Sequence, residues 1–245
     1  MRRVLITGAS RGIGRAIAMR LAADGWSVAL HHRGSPTAIA EIAGNLGSAV
    51  CGVYRADLSV PGEAERLWEE AIRDGELHAL VNNAGAYVPC SLLESTDDEW
   101  MRVWEETMAL NLRAPMVLSR LASLRFAGRG GGKIVNVASR VGFRGEAGAA
   151  AYAASKAALI NLTRSLAVEL APKGVLLFGI APGWVDTAMA RTGMRERLPS
   201  ILETIPLGRM ATPEDCANVV RFLLSGEADY LSGQTIDING ASYFH

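Results

Sequence analysis

Short apolar runs alternate along the chain with longer stretches in which apolar residues recur every three to four positions. The short runs predict buried strands, and the longer stretches predict amphipathic helices. Strands are predicted in this way at residues 4–6, 28–30, 49–54, 77–81, 133–137, 175–180 and 234–238. Helices are predicted between them at residues 14–23, 37–46, 63–73, about 97 to 127, 150–170 and 213–224.

Strands and helices that alternate in this way predict an α/β fold. Each strand–helix–strand unit is right-handed and joins two parallel strands, so that helices cover both faces of one sheet. We therefore expect a Rossmann-type, doubly wound parallel sheet of seven strands. No linker, repeat or low-complexity segment interrupts the alternation, so residues 1–245 are interpreted as a single domain.

The composition of the chain indicates which classes of binding partner are not expected. The 245 residues are 49% hydrophobic, which supports a large core, and Lys plus Arg equals Asp plus Glu at 25 each. A balanced charge gives no reason to expect nucleic acid or an anionic membrane as a partner. No apolar run approaches the ~18 residues of a membrane-spanning helix. The scattered cysteines Cys51, Cys90 and Cys216 form no disulfide framework, so a cytoplasmic protein is expected.

A glycine-rich turn joins the first predicted strand to the first predicted helix. Its sequence is T-G-A-S-R-G-I-G, residues 7–14. Glycine lets the chain turn sharply and lets the backbone approach a pyrophosphate that faces the helix N-terminus. A tight turn without a ligand is the alternative, but its place at the first strand–helix junction favours a dinucleotide. The residues expected to contact it are Gly8, Ser10, Arg11, Gly12, Ile13 and Gly14.

The end of the second predicted strand bears on which dinucleotide binds. Folds that bind NAD usually place an acidic residue there to hold the ribose 2′-hydroxyl. Here the segment is L-H-H-R-G, without an acid, and His32 and Arg33 take that place. Arg33 and Arg11 are predicted to clasp a 2′-phosphate, which favours NADPH; two solvated arginines are the alternative. His31 and His32 point to opposite faces of a strand, so no metal site is predicted.

A candidate acid/base pair lies in the helix predicted at residues 150–170. Tyr152 and Lys156 stand four residues apart and share a helix face. A cation near the phenol favours the phenolate, so Lys156 is expected to lower the pKa of Tyr152 from its usual value near ~10. Such a phenol exchanges a proton with a carbonyl or alcohol oxygen. Ser139 lies thirteen positions upstream as a possible partner for that oxygen, and a surface Tyr–Lys pair is the alternative.

Further motifs follow in order along the chain. N-N-A-G at residues 82–85 follows the fourth predicted strand, and P-G at residues 182–183 follows the sixth. With the glycine turn, Asn111, Ser139 and Y-x-x-x-K, these motifs span nearly the whole chain. In these features the chain resembles the short-chain dehydrogenase/reductase family of nicotinamide-dependent oxidoreductases.

The resemblance implies a role for each matching position. Tyr152 would be the general acid/base, Ser139 would stabilise the substrate oxygen, Lys156 would also hold the nicotinamide ribose, and Asn111 would anchor a water linked to Lys156. Asp57 would meet the adenine amine. The remaining implied cofactor contacts are Leu58, Asn83, Ala84 and Gly85 on the adenosine side, and Pro182, Gly183, Val185 and Thr187 beside the nicotinamide.

Two features depart from the family pattern. Relatives commonly carry Asn at the position of Phe178, where Phe is interpreted as a packing variant. Trp100 and Trp104 precede Asn111 where relatives usually have one tryptophan, which indicates about one extra helical turn. That turn would reshape either a subunit contact or the rim of the pocket.

Within the family, the glycine turn, I-P-L-G-R at residues 205–209 and S-G-Q at residues 232–234 most resemble 3-oxoacyl-acyl-carrier-protein reductases. The resemblance implies reduction of a β-ketoacyl thioester by NADPH. Reductases or dehydrogenases of sugars, steroids and xenobiotic ketones share these signatures and remain alternatives. A dinucleotide-binding regulator without turnover is a further alternative, which the intact tetrad disfavours. The resemblance also implies a homodimer or homotetramer, formed through the helices around Asn111 and Tyr152 and the C-terminal strand.

The predicted substrate lid covers residues 184–210. Its apolar members are interpreted as a cover for an acyl chain, and its arginines as a contact for an acidic carrier protein. An amphipathic helix with a solvated basic face is the alternative, and Arg125 and Arg129 are candidates to extend the basic patch. The lid residues concerned are Trp184, Met189, Met194, Leu198, Ile201, Arg191, Arg195 and Arg197.

Overall fold

A single parallel sheet organises the molecule, in a computed structural model that describes residues 2–187 and 198–245. The strand order is β3-β2-β1-β4-β5-β6-β7, and every neighbouring pair is parallel, which confirms the predicted doubly wound seven-stranded sheet. The strands are β1 Arg3–Ile6, β2 Ser27–His32, β3 Val50–Arg55, β4 Ala79–Asn82, β5 Gly132–Val137, β6 Val175–Pro182 and β7 Thr235–Ile238.

Helices cover both faces of the sheet. They are α1 Gly12–Ala23, α2 Pro36–Leu46, α3 Glu63–Arg73, α4 Asp97–Met108, α5 Ala114–Ala127, α6 Ala150–Leu170, α7 Leu198–Glu203 and α8 Pro213–Leu224. Successive residues of a strand face opposite sides, so Val4 and Ile6 belong to the core beneath α1, α2 and α8, whereas Leu5 belongs to the core beneath α3, α5 and α6. Within the described ranges, every helix is too short or too polar to cross a bilayer.

The boundaries differ from the sequence prediction where tertiary contacts decide them. The fourth strand, predicted from residue 77, begins at Ala79, where it first pairs with β1. Leu77 is fully buried without being part of the ladder. Phe178, in the middle of β6, is also fully buried, in agreement with its interpretation as a packing residue.

The long helical region predicted at residues 97–127 is divided by a π-helical turn, Ala109–Arg113. Pro115 follows within the first turn of α5 and has no N–H to donate to a carbonyl one turn back. Trp100, before the turn, lines a small cavity beside Ala151, whereas Trp104 lines an open groove on the outside of α4, α5 and α6. The two tryptophans therefore do not line the same cavity.

The carboxyl ends of all seven strands meet at one edge of the sheet, because the strands are parallel. β1 lies between β2 and β4, and the chain reverses its direction of winding between β1 and β4. Ligands of doubly wound sheets bind outside the carboxyl ends at such a reversal. The glycine turn after β1, the N-N-A-G segment after β4 and Ser139 after β5 all lie at this edge.

Candidate active site

Tyr152, Lys156 and Ser139 lie together at the carboxyl edge of the sheet. Tyr152 and Lys156 are one turn apart on α6, with the Lys156 Nζ atom 5.7 Å from the centroid of the Tyr152 ring. Ser139 follows β5, and its hydroxyl hydrogen-bonds to that of Tyr152. Lys156 is 4% exposed, and its Nζ donates to the carbonyl of Val137 at 2.8 Å. The ring of Tyr87 packs edge-on against Tyr152, with centroids 5.2 Å apart.

Asn111 joins this group from the π-helical turn. It is fully buried, its Nδ2 donates to the carbonyl of Ala86 at 2.9 Å, and its Oδ1 accepts the N–H of Ala86 at 2.9 Å. Its Nδ2 also donates to the Ser155 hydroxyl at 3.3 Å. A Cβ atom built at Gly85 would lie 3.2 Å from Asn111 Oδ1 and 3.5 Å from Lys156 Nζ. The absence of a side chain at Gly85 therefore lets both polar groups approach the same stretch of backbone.

The pKa values of the pair differ from the sequence prediction. Burial raises the pKa of the Tyr152 phenol above its usual value, against the opposing effect of the Ser139 hydrogen bond. Burial lowers the pKa of the Lys156 ammonium to about 8. The expected lowering of the Tyr152 pKa is thus not found, because desolvation of the buried phenol is the largest influence on its pKa and raises it. A phenol that stays protonated at neutral pH is suited to donate a proton.

Glycine is required at particular positions of the glycine turn. A Cβ atom built at Gly14 would lie 2.2 Å from the carbonyl oxygen of Gly8, and Gly8 and Gly12 both have positive φ angles, 66° and 54°. The N-terminus of α1 has no side-chain cap, so its first N–H groups are available to an anion. Ser10 and Ile13 are half-buried in the same turn. This geometry fits the pyrophosphate of a dinucleotide.

The N-N-A-G segment supports the glycine turn from behind. Asn83 Nδ2 donates to the carbonyls of Thr7 and Gly8 at 2.8 and 3.1 Å. The Thr7 hydroxyl accepts the N–H groups of Asn83 and Ala84, both at 2.9 Å. Thr7 was part of the predicted motif without a role, and its hydroxyl is the atom that ties the two segments together.

The adenosine side is formed by the ends of β2 and β3. Asp57 Oδ1 accepts the N–H and the hydroxyl of Ser59 at 3.1 and 2.6 Å. The Ser59 hydrogen bond holds the pKa of this carboxyl below its usual value, and the charge of Arg33 acts in the same direction. Leu58 and His32 are buried, whereas Arg33 and Arg11 are exposed. The clasp of a 2′-phosphate by these two arginines stays a prediction.

The segment after β6 borders the cofactor site on the predicted nicotinamide side. Pro182 ends β6, and Val185 bridges to Ala211. A Cβ atom built at Gly12 would lie 3.3 Å from Cγ2 of Thr187, so the predicted nicotinamide segment comes down against the glycine turn. The structure thus brings the two predicted halves of the cofactor site together.

The predicted lid is described in part. Trp184 packs against a small cluster of Ile201, Ile205 and Met210, and Leu198 is half-exposed at the start of α7. Five predicted lid residues lie outside the described residues: Met189, Arg191, Met194, Arg195 and Arg197.

The suggestion that Arg125 and Arg129 extend a basic patch from the lid is wrong. Both residues precede the amino end of β5, whereas the lid follows the carboxyl end of β6. In a parallel sheet these positions lie at opposite edges. A patch continuous with the lid is therefore excluded for these two residues.

Sequence reasoning did not predict a role in the site for one buried side chain, His31. His31 was considered only as a metal ligand, yet its ring contacts the backbone of the glycine turn at Gly8 and the backbone before Asp57 at Ala56. The available signal was a histidine that directly follows the buried apolar residues Val28, Ala29 and Leu30 of β2. Its partners lie 23 and 25 residues away, which no local pattern indicates.

Comparisons with known proteins agree with this geometry. The family model described as enoyl-(acyl carrier protein) reductase matches residues 8–241. The 3-oxoacyl-acyl-carrier-protein reductase FabG of Aquifex aeolicus is 38% identical over 249 residues, which covers 98% of this chain and 96% of that protein. FabG of Escherichia coli is 37% identical over 242 residues with the same coverage.

A solved structure is also similar over the whole fold. It is a crystal structure described as an NAD(P)-dependent gluconate 5-dehydrogenase from Beutenbergia cavernae, with NADP bound at low occupancy. It matches with a TM-score of 0.90 and 37% identity, and covers 98% of this chain and 96% of that one. A family match over nearly all of the chain and relatives at this identity show that the chain belongs to the short-chain dehydrogenase/reductase family of oxidoreductases.

Proposed function

We propose that the protein is an NADPH-dependent carbonyl reductase that acts on 3-oxoacyl thioesters. The observation that carries the proposal is the assembly of Ser139, Tyr152 and Lys156 beside the glycine turn. The similarity to FabG reductases over 98% of the chain supports the substrate class.

Four side chains take part in the proposed reaction. When bound, NADPH supplies a hydride to the carbonyl carbon. The Ser139 hydroxyl hydrogen-bonds the carbonyl oxygen and stabilises the negative charge that develops there. The Tyr152 phenol, which its raised pKa keeps protonated, donates a proton to that oxygen. Lys156, whose Nζ lies 5.7 Å from the centroid of the Tyr152 ring, would return a proton to Tyr152, and Asn111 would anchor a water that links Lys156 to solvent.

The residues of the carboxyl edge fit a dinucleotide that carries a 2′-phosphate. The uncapped N-terminus of α1 and the backbone of the glycine turn would hold the pyrophosphate. Asp57 would hold the adenine, and Arg33 and Arg11 would hold the 2′-phosphate. NADP in the similar solved structure supports this choice over NAD.

A second candidate function is the oxidoreduction of a sugar acid. The solved structure described as a gluconate 5-dehydrogenase is 37% identical and has the TM-score of 0.90, so the fold and cofactor site are compatible with either substrate. The two candidates differ in the lid and its neighbours, where Trp184 and the cluster of Ile201, Ile205 and Met210 offer an apolar surface. That apolar surface favours an acyl chain over a polyol.

The experiment compares these substrates directly. NADPH oxidation is followed with acetoacetyl-N-acetylcysteamine, acetoacetyl-carrier protein and 5-ketogluconate, for the wild type and for Tyr152→Phe. We expect the acyl thioesters to give the highest kcat/KM, and Tyr152→Phe to lower kcat at least a hundredfold because general acid catalysis contributes about 10² to 10⁴ in rate.

The control is Tyr230→Phe, since Tyr230 is fully exposed on the surface and lies outside the site. Rates with both thioesters no better than in buffer, together with rapid turnover of 5-ketogluconate, would replace the first candidate by the second. Equal activity of wild type and Tyr152→Phe on every substrate would contradict both.

The proposal extends to partners and location. A carrier-protein-bound substrate is proposed on the FabG resemblance, and turnover of the carrier-protein thioester in preference to the small thioester is its test.

We further propose that the chain forms a homotetramer or homodimer through α4, α5 and α6. The open groove of about 700 Å³ on these helices supports this, since Trp104, Met108 and Leu162 line it. A cytoplasmic location is proposed on the same resemblance.

A further inference from the structure

His31 bridges two segments of the cofactor site through both nitrogens of its ring. It lies in β2, is 2% exposed, and accepts the backbone N–H of Gly8 on Nδ1 at 3.0 Å. Its Nε2 lies 3.1 Å from the carbonyl oxygen of Ala56. A backbone N–H only donates and a carbonyl only accepts, so Nδ1 is unprotonated and Nε2 carries the proton. The two bonds therefore require one tautomer of a neutral ring.

The two partners belong to strands that do not pair with each other. Gly8 follows β1 and Ala56 follows β3, and β2 separates these strands in the sheet. Backbone bonds continue the ladder beyond the strands, since Ala9 N donates to the His31 carbonyl at 2.8 Å and Ala56 N to the His32 carbonyl at 3.1 Å. The imidazole adds a side-chain link across the same gap, at the edge where the cofactor would lie.

Each partner adjoins a residue to which the proposed function gives a cofactor contact. Gly8 is the first glycine of the turn that would hold the pyrophosphate. Ala56 directly precedes Asp57, which would hold the adenine. His32 and Arg33, beside the 2′-phosphate position, follow His31 in the chain. The ring is therefore placed to set the distances among the three parts of the adenosine site.

We propose that His31 is a positioning residue for the adenosine half of the cofactor, which it prepares by holding the glycine turn and the segment before Asp57 at a fixed spacing. The inference rests on the proposed use of a dinucleotide. Preorganised contacts increase affinity because the ordering of the site precedes binding. His31 makes no proposed contact with the substrate, so its effect is confined to cofactor binding.

Three variants of His31 and one control variant test the proposal. His31→Asn keeps an acceptor near Nδ1, His31→Gln keeps a donor near Nε2, and His31→Leu keeps neither. The control is His78→Leu, because His78 Nδ1 accepts the backbone N–H of Arg3 at 3.1 Å. This is the same kind of bond at the opposite end of β1, away from the site.

The affinities of 2′,5′-ADP, NADPH and reduced nicotinamide mononucleotide are measured by calorimetry. We expect His31→Leu to weaken 2′,5′-ADP and NADPH tenfold or more, with intermediate losses for His31→Asn and His31→Gln. Mononucleotide affinity, the KM for the ketone and kcat at saturating NADPH should change less than twofold. His78→Leu should lower the melting temperature without a change in any affinity.

Two results would overturn the proposal. One is an affinity for 2′,5′-ADP within twofold of the wild-type value in every His31 variant that folds. If His31→Leu does not fold, the affinities of His31→Asn and His31→Gln decide the question. The other is an equal loss of 2′,5′-ADP and mononucleotide affinity, which indicates general destabilisation. A wild-type protein that binds no adenine dinucleotide would instead refute the proposed function itself, and this inference with it.

Discussion

At the scale of single residues, burial decides the chemistry of the site more than charge does. Tyr152 and Lys156 are both desolvated, which raises the pKa of the phenol and lowers that of the ammonium to about 8. Each group is thereby pushed towards its neutral form. His31 follows the same rule, since burial lowers its pKa to about 4 against the opposing effects of Ala56 and Asp57. A raised pKa keeps the Tyr152 phenol protonated, as the proposed proton donation requires.

Lys156 carries a stability prediction whose sign follows from its pKa. The folded value of about 8 lies below the ~10.4 of an unfolded lysine. Between these two pH values the unfolded chain binds more protons at this lysine than the folded chain does. The contribution of Lys156 to the free energy of unfolding therefore rises with pH from about 8 to ~10.4 and is lowest below pH 8. We expect Lys156→Met to abolish activity yet raise the free energy of unfolding at pH 7 by roughly 1–2 kcal/mol. Urea unfolding at pH 7, 9 and 10.5 measures this.

The gain from Lys156→Met should shrink as pH rises from 8 to 10.5. Lys173→Met is the control, because Lys173 is exposed. A gain that is the same at all three pH values would contradict the prediction.

Arg33 carries the prediction on cofactor choice. Arg33→Asp replaces the proposed partner of the 2′-phosphate with a group that repels it, and we expect the KM for NADPH to rise tenfold or more, about 1.4 kcal/mol. Steady-state kinetics with NADPH and NADH measure the preference. Arg20→Asp makes the same charge change at an exposed position in the last turn of α1, away from the site, and should leave it unaltered. An unchanged preference in Arg33→Asp would eliminate the clasp.

At the scale of secondary-structure elements, turns and helix ends position the residues of the candidate site. α1 begins at Gly12, two residues before the predicted start, so that its N-terminus lies within the glycine turn. α2 begins at Pro36, whose fixed φ and missing N–H suit the first helical position. The π-helical turn Ala109–Arg113 was predicted as continuous helix, because apolar spacing does not distinguish a π turn from an α turn.

Substitution by alanine is expected to have opposite effects at two glycines that lie in helices. Gly14→Ala would place a Cβ atom 2.2 Å from the carbonyl oxygen of Gly8, so the turn must shift. Gly44 is exposed in α2 with no atom within 4 Å of such a Cβ. We expect Gly14→Ala to destabilise by about 1–3 kcal/mol and to abolish NADPH binding, and Gly44→Ala to stabilise by about 0.5–1 kcal/mol. Thermal unfolding and calorimetry measure both; a melting temperature that moves in the same direction in both variants would contradict this.

At the scale of the whole molecule, the strand order decides which motifs meet. β1 lies between β2 and β4, and β5 follows β4, so the glycine turn adjoins both His31 and the N-N-A-G segment, with Ser139 next along the edge. The other surface of functional interest is the groove of α4, α5 and α6, which lies on the outside of the fold. Helix α6 thus carries Tyr152 and Lys156 of the candidate site and also lines the proposed subunit contact.

The proposed subunit contact is tested by a charge in the groove. Met116 lines the groove on α5 and is 39% exposed, whereas Leu124 on the same helix lies outside the groove and is 62% exposed. We expect Met116→Arg to shift the wild-type dimer or tetramer towards a smaller species, because a charge is disfavoured in the core of an interface. Leu124→Arg should have no effect. Size-exclusion chromatography with light scattering measures the mass, and a monomeric wild type would contradict the proposal.

The strand–helix alternation, the glycine turn and the Tyr152/Lys156 spacing could all be read from the amino-acid sequence. These features are local: periodicity, turn residues and an i, i+4 pair are set by residues near in the chain. Two features required the folded chain: Thr7 hydrogen-bonds the glycine turn to Asn83 and Ala84, and His31 bridges Gly8 and Ala56. The tertiary structure also decided that burial, and not the neighbouring ammonium, sets the pKa of Tyr152. The reason is physical: desolvation and long-range hydrogen bonds depend on which strands become neighbours, and residue spacing along the chain carries no information on that.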